Sequence, residues 1–470
     1  MSTGHAEPSR PPAGVKRRDF LRSTAAVGAG LAVAPTLLGA EKAGPAPINV
    51  AVIGTGIQGR VLTEQARRIE GVRFKAVCDI WKDWSLRYAT RQLGRLGHPA
   101  NAYVDYQDML EAEKDLQAVI VATPDWMHAE HTIACLKAGL HVYCEKEMSN
   151  DLAKAREMVL AARETGNLLQ IGHQRRSNPR YLHAKQKLLD EAHLLGRVTH
   201  AFGQWNRSIE KTAPRGYPEK YPVDEATLRE YGYADMFQFR NWRFYKKYGG
   251  GPIADLGSHQ IDVFGWFLDA RPVSLVAEGG RDYWKQYEWY DSALAIYRFT
   301  TPQGTVYAYY QTLTTTSAVG YFERFMGDQG TLQISEKASK CRVFAEGYLS
   351  TIPHPWTPWV QKGYIARDPE DKEETEEAKE PQTPLQAILA MYGKSRPPAR
   401  FLLTVPVEEA PHQTHLANFF DAIRGKAKLN CPPEVGYQAA LSALRAVLRA
   451  RPRAAGWTPI LRLERKARAA

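Results

Sequence analysis

Apolar positions follow two different rhythms along this chain. Between Ile48 and about Gly172, short runs of Val, Ile, Ala and Leu alternate with stretches of helical period. Uninterrupted apolar runs mark strands buried on both faces, and the helical stretches between them serve as crossovers. The spacing predicts strands over Ile48–Ile53, Phe74–Cys78, Ala118–Ala122, His141–Cys144 and Leu168–Ile171. It predicts helices over Ile57–Ile69, Asp83–Leu93, Ala129–Ala138 and Leu152–Thr165, with Gly139 and Gly166 as stops for the last two. This alternation specifies a doubly wound parallel sheet whose ligands sit at the carboxyl ends of the strands. The loops beginning at Gly54, Asp79, Thr123, Glu145 and His173 then share one edge.

After about residue 196 the rhythm changes. Val198–Gln204, Val273–Glu278, Ala293–Phe299, Thr305–Thr314 and Thr331–Ile334 read as successive strands, several alternating apolar with polar as half-buried antiparallel strands do. The run Thr305–Gln311 puts aromatic side chains on both faces of one strand, so one face packs on helices and the other calls for a cover. Arg207–Tyr248 is a long polar and aromatic insertion, Arg367–Pro384 an acidic segment expected to be a solvated loop, and Thr414–Ile423 and Tyr437–Leu448 read as helices. The fold class is therefore an α/β nucleotide-binding domain followed by an α+β domain with a mostly antiparallel sheet. A length of 470 residues, beyond what one core usually holds, agrees with two domains.

Composition is that of an ordinary globular protein, and charge changes the picture only at the ends. The net charge of +11 resides in residues 1–40, which carry +3, and in Arg445–Ala470, which carry about +7. The body between them is nearly neutral and has no basic stripe interleaved with aromatics, which argues against nucleic acid as a partner. Cys78, Cys135, Cys144, Cys341 and Cys431 show no C-x-x-C spacing and are read as buried free thiols, with no metal site. Lys16-Arg17-Arg18-Asp19-Phe20-Leu21-Arg22, followed by a mildly apolar stretch from Thr24 to Leu38, resembles a twin-arginine export signal. That stretch is too short to be a stable membrane anchor. The expected organisation is a signal peptide over 1–40, a nucleotide-binding domain over 47–172, a substrate and oligomerisation domain over 173–450 and a basic tail over 451–470. Such a signal implies export to the periplasm.

The chemistry begins where the first strand stops, at Gly54-Thr55-Gly56-Ile57-Gln58-Gly59. In this G-x-G-x-x-G spacing Gly54 permits a sharp turn, Gly56 a close approach of backbone to pyrophosphate, and Gly59 tight packing of helix on strand. The helix N-terminus offers free N–H groups to the phosphates. Asp79 ends the second strand, where a carboxylate bonds the adenosine ribose hydroxyls and repels a 2′-phosphate, so NAD is expected over NADP. Glu145-Lys146 ends a later strand, where a lysine can donate to a substrate hydroxyl; as an isolated pair it is equally an ordinary surface feature. Gly249-Gly250-Gly251 leads into Asp255 and His259, which a helix starting near Asp255 places on one face with Asp262 a turn further. His259 reads as a base for alcohol oxidation, oriented by Asp255. By itself the spacing also fits a helix cap followed by a half-buried histidine.

Taken together, these motifs resemble the glucose–fructose oxidoreductase / inositol dehydrogenase (Gfo/Idh/MocA) family over about residues 47–450. The resemblance rests on Val52 through Gly59, Ala122-Thr123-Pro124 with His128, and Ala138 through Lys146. It continues through Gly249-Gly250-Gly251 with Asp255, Gly257, His259 and Asp262, through Gly327 to Leu332, and through Asn418-Phe419 with Asp421 to Arg424. It implies a Rossmann domain, an open-faced antiparallel sheet often used to form homodimers or homotetramers, and hydride transfer between NAD and a carbohydrate or polyol. It implies Lys146, Asp255 and His259 as the catalytic set. The implied cofactor-binding residues are Gly54, Gly56, Ile57, Gln58, Gly59, Asp79, Thr123, Pro124, His128, Glu145 and Lys146. The chain departs from the family in having Glu147 where a proline usually follows the Glu-Lys pair. A redox-neutral lyase or glycosidase acting through a transient keto-sugar is the alternative reaction, and a non-catalytic cofactor-binding protein is a third class.

Overall fold

The computed structural model describes residues 45–349, 353–371, 383–385, 398–406, 410–449 and 461–462. The export-signal reading, most of the acidic segment and most of the basic tail lie outside these residues. Six strands form an all-parallel sheet: β1 (Ile48–Ile53), β2 (Val72–Cys78), β3 (Asn101–Tyr103), β4 (Ala118–Val121), β5 (His141–Cys144) and β6 (Leu169–Ile171). Their order is β3-β2-β1-β4-β5-β6, so the winding reverses between β1 and β4 and leaves a crevice there. Val50, Ala51 and Val52 are fully buried, as an apolar run covered on both faces must be. The sheet is flanked by α1 (Ile57–Ala66), α2 (Arg87–Arg95), α3 (Tyr106–Ala112), α4 (Asp125–Lys137) and α5 (Leu152–Thr165). In α5 the Asp151 carboxylate accepts from the Ala153 and Lys154 N–H groups at 2.8 and 3.0 Å, and Gly166 ends the helix at φ +70°.

The parallel Rossmann sheet and its antiparallel partner agree with the sequence reading, with local differences. β3 is three residues long and mostly exposed, so no apolar run announces it. α4 starts at Asp125, four residues before the expected start, with Asp125, Trp126, Met127 and His128 as its first turn.

The second sheet has ten strands: β7 (Val198–Asn206), β8 (Pro272–Gly280), β9 (Ser292–Thr301), β10 (Gly304–Leu313), β11 (Tyr321–Gly327), β12 (Gly330–Ile334), β13 (Arg342–Ala345), β14 (Ile365–Arg367), β15 (Ala399–Leu403) and β16 (Leu461–Arg462). Their order is β14-β15-β13-β12-β11-β7-β10-β9-β8-β16, antiparallel except where β7 pairs with β10. Residues alternate in exposure along β9 and β10: Ala293, Tyr297, Phe299, Val306 and Tyr310 point inward and are buried. They join one core with residues of α6 (Ser258–Phe267) and of α8 (Pro433–Arg449), including Phe264 and Leu444. Each such large side chain contributes roughly 1.5–3 kcal/mol by leaving water. On the opposite face Leu294, Ile296, Tyr307 and Tyr309 remain exposed.

Another helix, α7 (Pro411–Ile423), returns to the first sheet, where Leu416, Phe419 and Phe420 are buried with Val50, Val52 and Ile120. The insertion Arg207–Tyr248 has a small core of its own, built from Val223, Leu228, Tyr233, Met236, Trp242 and Tyr248 around Trp81 of the first domain. All five cysteines are buried and free. No helix among the described residues is long and apolar enough to cross a membrane.

Candidate active site

Both sheets contribute to one cavity of about 410 Å³ over the carboxyl ends of the parallel strands. Its floor is the glycine turn. Gly54 has φ +91°, and a Cβ there would stand 2.7 Å from the Ala122 carbonyl carbon. A Cβ on Gly59 would stand 1.9 Å from the Gly54 oxygen, whereas one on Gly56 would meet nothing within 4 Å. Two glycines are thus demanded by the protein's own backbone, and the third leaves an open approach to the N-terminus of α1, as a bound pyrophosphate requires. Ile57, at the start of that helix, is 62% exposed.

At one end of the cavity Asp79 is held by three donors. Its Oδ2 accepts from Thr55 N at 2.8 Å and Thr55 Oγ1 at 2.9 Å, and its Oδ1 from Trp81 N at 2.8 Å. Burial nonetheless pushes its carboxyl up from the usual range. Gln58 donates to Glu145 Oε1 at 3.0 Å and lies 3.1 Å from His412 Nε2, which ties the glycine loop to the end of β5 and to α7. Thr123 and Pro124 follow β4 and line the crevice. His128 lies between the carbonyl oxygens of Thr123 and Glu147, at 2.7 and 2.6 Å, and so clamps the two loops together. Burial pulls its imidazole down to about 4, which outweighs the two carbonyls.

Lys146, Asp255 and His259 line the other end. The Lys146–Glu147 peptide bond is cis, and Lys146 Nζ donates to the Asp255 carbonyl while lying 3.6 Å from its Oδ1. The Asp255 carboxylate also meets Arg243 Nε at 3.2 Å and Arg207 Nη1 at 3.5 Å. Burial raises the Asp255 carboxyl, but these three cations outweigh it and hold it well below the ordinary range. Residues Ile253–Gly257 form a wide π turn before α6 begins at Ser258. Asp255 is therefore engaged with cations and does not orient His259 as the sequence suggested. His259 Nδ1 is buried without a hydrogen-bond partner. Its ring lies 5.7 Å from that of Trp205 at 30°, and 6.0 Å from that of His173, edge-on. Burial, then Lys146 and Arg175, hold the imidazole well below 6.5, so it is neutral near pH 7. Asp262 points elsewhere, accepting from Arg176 Nε at 2.8 Å.

Several lining residues gave no signal in the sequence. Asp125 is 6% exposed, and burial raises its carboxyl to about 7. Behind the lining, Glu147, the residue that stands in place of the family's proline, is fully buried and raised to about 8 for the same reason. Gln174, Trp205 and His412 come from three distant stretches and meet only in the folded chain. The insertion closes the remaining side with Tyr231, Tyr233, Phe239, Arg240, Trp242 and Arg243. Such convergence could be recognised only from tertiary structure.

Residues 48–173 match the model of an oxidoreductase family with an NAD-binding Rossmann fold (GFO/IDH/MocA), and residues 225–333 match the GFO/IDH/MocA C-terminal domain. An inositol 2-dehydrogenase of Rubrobacter xylanophilus is 30% identical over 194 residues, 40% of this chain and 52% of that protein. A D-glucoside 3-dehydrogenase of Escherichia coli is 30% identical over 231 residues, 49% of this chain and 56% of that protein. The chain thus spans about half the length of these curated relatives. Among solved structures, a levoglucosan dehydrogenase in complex with NADH superposes with TM-score 0.60 at 16% identity, covering 86% of this chain and 96% of that one. That likeness establishes the fold.

Proposed function

The chain belongs to the Gfo/Idh/MocA family of oxidoreductases, and from that premise we propose that it oxidises or reduces a sugar or polyol at a CH–OH carbon with NAD. The observation that carries this reading is a single cavity holding the open Gly56 turn, the ribose-side carboxylate Asp79 and the pair Lys146 and His259. Bound NAD supplies the acceptor for the hydride that leaves the carbinol carbon. The neutral His259 imidazole receives the hydroxyl proton, and its burial leaves it free to do so at pH 7. Lys146 Nζ stabilises the alkoxide oxygen. Asp255 holds Lys146 in place and balances Arg207 and Arg243, so it acts as a positioning residue. Trp205 lines the cavity with its ring tilted at 30° to that of His259 and stacked on that of Tyr321 at 4.6 Å. The test is turnover of a panel of sugars and polyols, followed as NADH absorbance. Activity with none of them, while NAD binds, would count against the reading.

The exported, retained-cofactor form of this function is supported by two features. Arg17-Arg18 with its apolar stretch fits twin-arginine transport, which carries folded protein. The insertion over the nucleotide end restricts exchange: Trp81 Nε1 donates to Tyr221 O at 2.7 Å, and Tyr231 Oη donates to Asp105 Oδ2 at 3.1 Å. In a compartment poor in free dinucleotide, such an enzyme keeps its cofactor and regenerates it in place with a second substrate.

A further inference from the structure

Beside Asp255 the main cavity opens into a smaller lobe whose lining is strongly cationic. Arg207, Lys211, Arg215, Arg240 and Arg243 all line it, and Asp255 is its one acidic residue. Arg207, Arg215, Arg240 and Arg243 also border the main cavity, beside Lys146. The Asp255 carboxylate is already shared by Lys146, Arg207 and Arg243. Among the described residues no carboxylate pairs with Arg215 or Arg240. Arg240 Nε donates to the Gly216 carbonyl at 3.3 Å, and its guanidinium carbon lies 5.1 Å from the Trp81 ring centroid. Arg215 is pinned through its backbone: its N–H donates to Asn241 Oδ1 at 2.7 Å and its carbonyl accepts from Asn241 Nδ2 at 3.1 Å. Burial and then Arg243 lower the Arg215 guanidinium from its ordinary value, and the nearby Asp255 offsets them only in part.

Guanidinium groups gathered without carboxylate partners are suited to bidentate recognition of an oxyanion. The Gly54–Gly59 cradle borders the main cavity and contributes no residue to this lobe. We propose that the substrate bears an oxyanion, a carboxylate or a phosphate on the sugar, seated in this lobe by Arg215 and Arg240 with Arg207 and Arg243. The proposal rests on reading the cavity as a sugar site and adds that the sugar is charged. It also gives the insertion a second role, since Lys211, Arg215, Arg240 and Arg243 all belong to it.

The experiment titrates NAD-loaded protein calorimetrically with glucose, glucuronate and glucose 6-phosphate, and repeats the series with galactose, galacturonate and galactose 6-phosphate. At least one charged sugar should bind 10-fold or more tightly than its neutral parent at 50 mM salt, and the gap should shrink at 500 mM. The carboxylate and phosphate members separate the two sources of the oxyanion. Arg215→Gln and Arg240→Gln should each narrow the gap several-fold. Equal affinity for charged and neutral members in both series, absence of binding in both, or a gap untouched by the two variants would overturn the proposal. A charged sugar that binds with this arginine dependence but is never oxidised would sink the oxidoreductase reading and leave the anion subsite standing.

Discussion

Lys146 and Asp255 lie 109 residues apart in the chain, yet Lys146 Nζ and Asp255 Oδ1 meet at 3.6 Å across the cleft between the two sheets. The lysine lies two residues beyond the end of β5, and the carboxylate sits on the π turn before α6. Their side chains are 12% and 19% exposed, so solvent screens the pair only weakly. Lys146→Met should lower kcat by about 10²–10³-fold, the scale for removing one preorganised donor, while NAD binding persists. Asp255→Asn leaves Lys146, Arg207 and Arg243 without their shared counter-charge and should cost about 3 kcal/mol of stability. Kinetics and urea denaturation check the two, and an unchanged midpoint in Asp255→Asn would contradict the shared-anchor role.

His259 is expected to act as base from a depressed pKa. Because burial, Lys146 and Arg175 hold the ring well below 6.5, it is already deprotonated in the free enzyme near neutrality. The plateau of kcat/KM should therefore persist as pH falls through about 6.5, the value for an unperturbed histidine. His259→Ala should lower the rate by roughly 10²–10⁴-fold. Asp125 is the cavity group that burial places at about 7, so it loses its proton as pH rises through that value. A loss of activity as pH rises past about 7 then belongs to deprotonation of Asp125 and should vanish in Asp125→Asn. A limb that survives this change and disappears in a His259 variant would reverse the assignment.

Those two residues also show where sequence reading reaches and where it stops. The strands β1 and β4 were legible because a strand buried on both faces has no choice but an apolar run. Gly54 and Gly59 were legible because local backbone geometry excludes any side chain there. β11 and β13 were missed: charged residues such as Arg324 interrupt the first, and the second opens on Arg342 and is buried only at alternate positions. The expected Asp255–His259 contact failed because helical spacing places two residues on one face without saying which cations will reach them from elsewhere. Asp125 stands in no element expected from the sequence, and Arg243, Gly250 and Asp255, which act on its buried carboxyl, are more than a hundred residues away.

Nucleotide preference is expected to follow Asp79. Its carboxylate is fixed by Thr55 and Trp81, so it cannot easily swing aside to admit a 2′-phosphate. Titrating nucleotide-free protein should give tighter binding of NAD than of NADP, with the gap narrowed in Asp79→Ala. Tighter binding of NADP to the unmodified protein would remove Asp79 from this role.

Self-association is expected through the outer face of the second sheet. Ile296 and Tyr309 are directly opposed on β9 and β10, and with Leu294 and Tyr307 they form an exposed apolar patch 43–53% accessible residue by residue. Contiguous apolar surface on a twisted sheet is commonly covered by a second copy. Light scattering at micromolar concentration should report a dimer or tetramer, and Ile296→Glu with Tyr309→Glu should shift it toward monomer. A monomeric unmodified protein would count against this.

Cofactor retention joins the fold to the export signal. The insertion packs on Trp81 and Asp105, from loops along the nucleotide edge, and on Trp126 in the first turn of α4, whose Nε1 donates to Tyr233 Oη at 3.1 Å. If the dinucleotide leaves past the insertion, this small aromatic core has to open, and burial of its members opposes the opening. Protein purified from the mature exported form should keep NAD through dialysis, with a dissociation constant of roughly nanomolar, about 12 kcal/mol. It should also turn over without added cofactor when a second substrate is present to reverse the redox change. Trp81→Ala removes the central ring of the roof and should speed nucleotide release while leaving the Gly54–Gly59 cradle in place. A protein that emerges empty, or a Trp81→Ala variant that releases nucleotide no faster than the parent, would mean that the insertion serves the substrate alone.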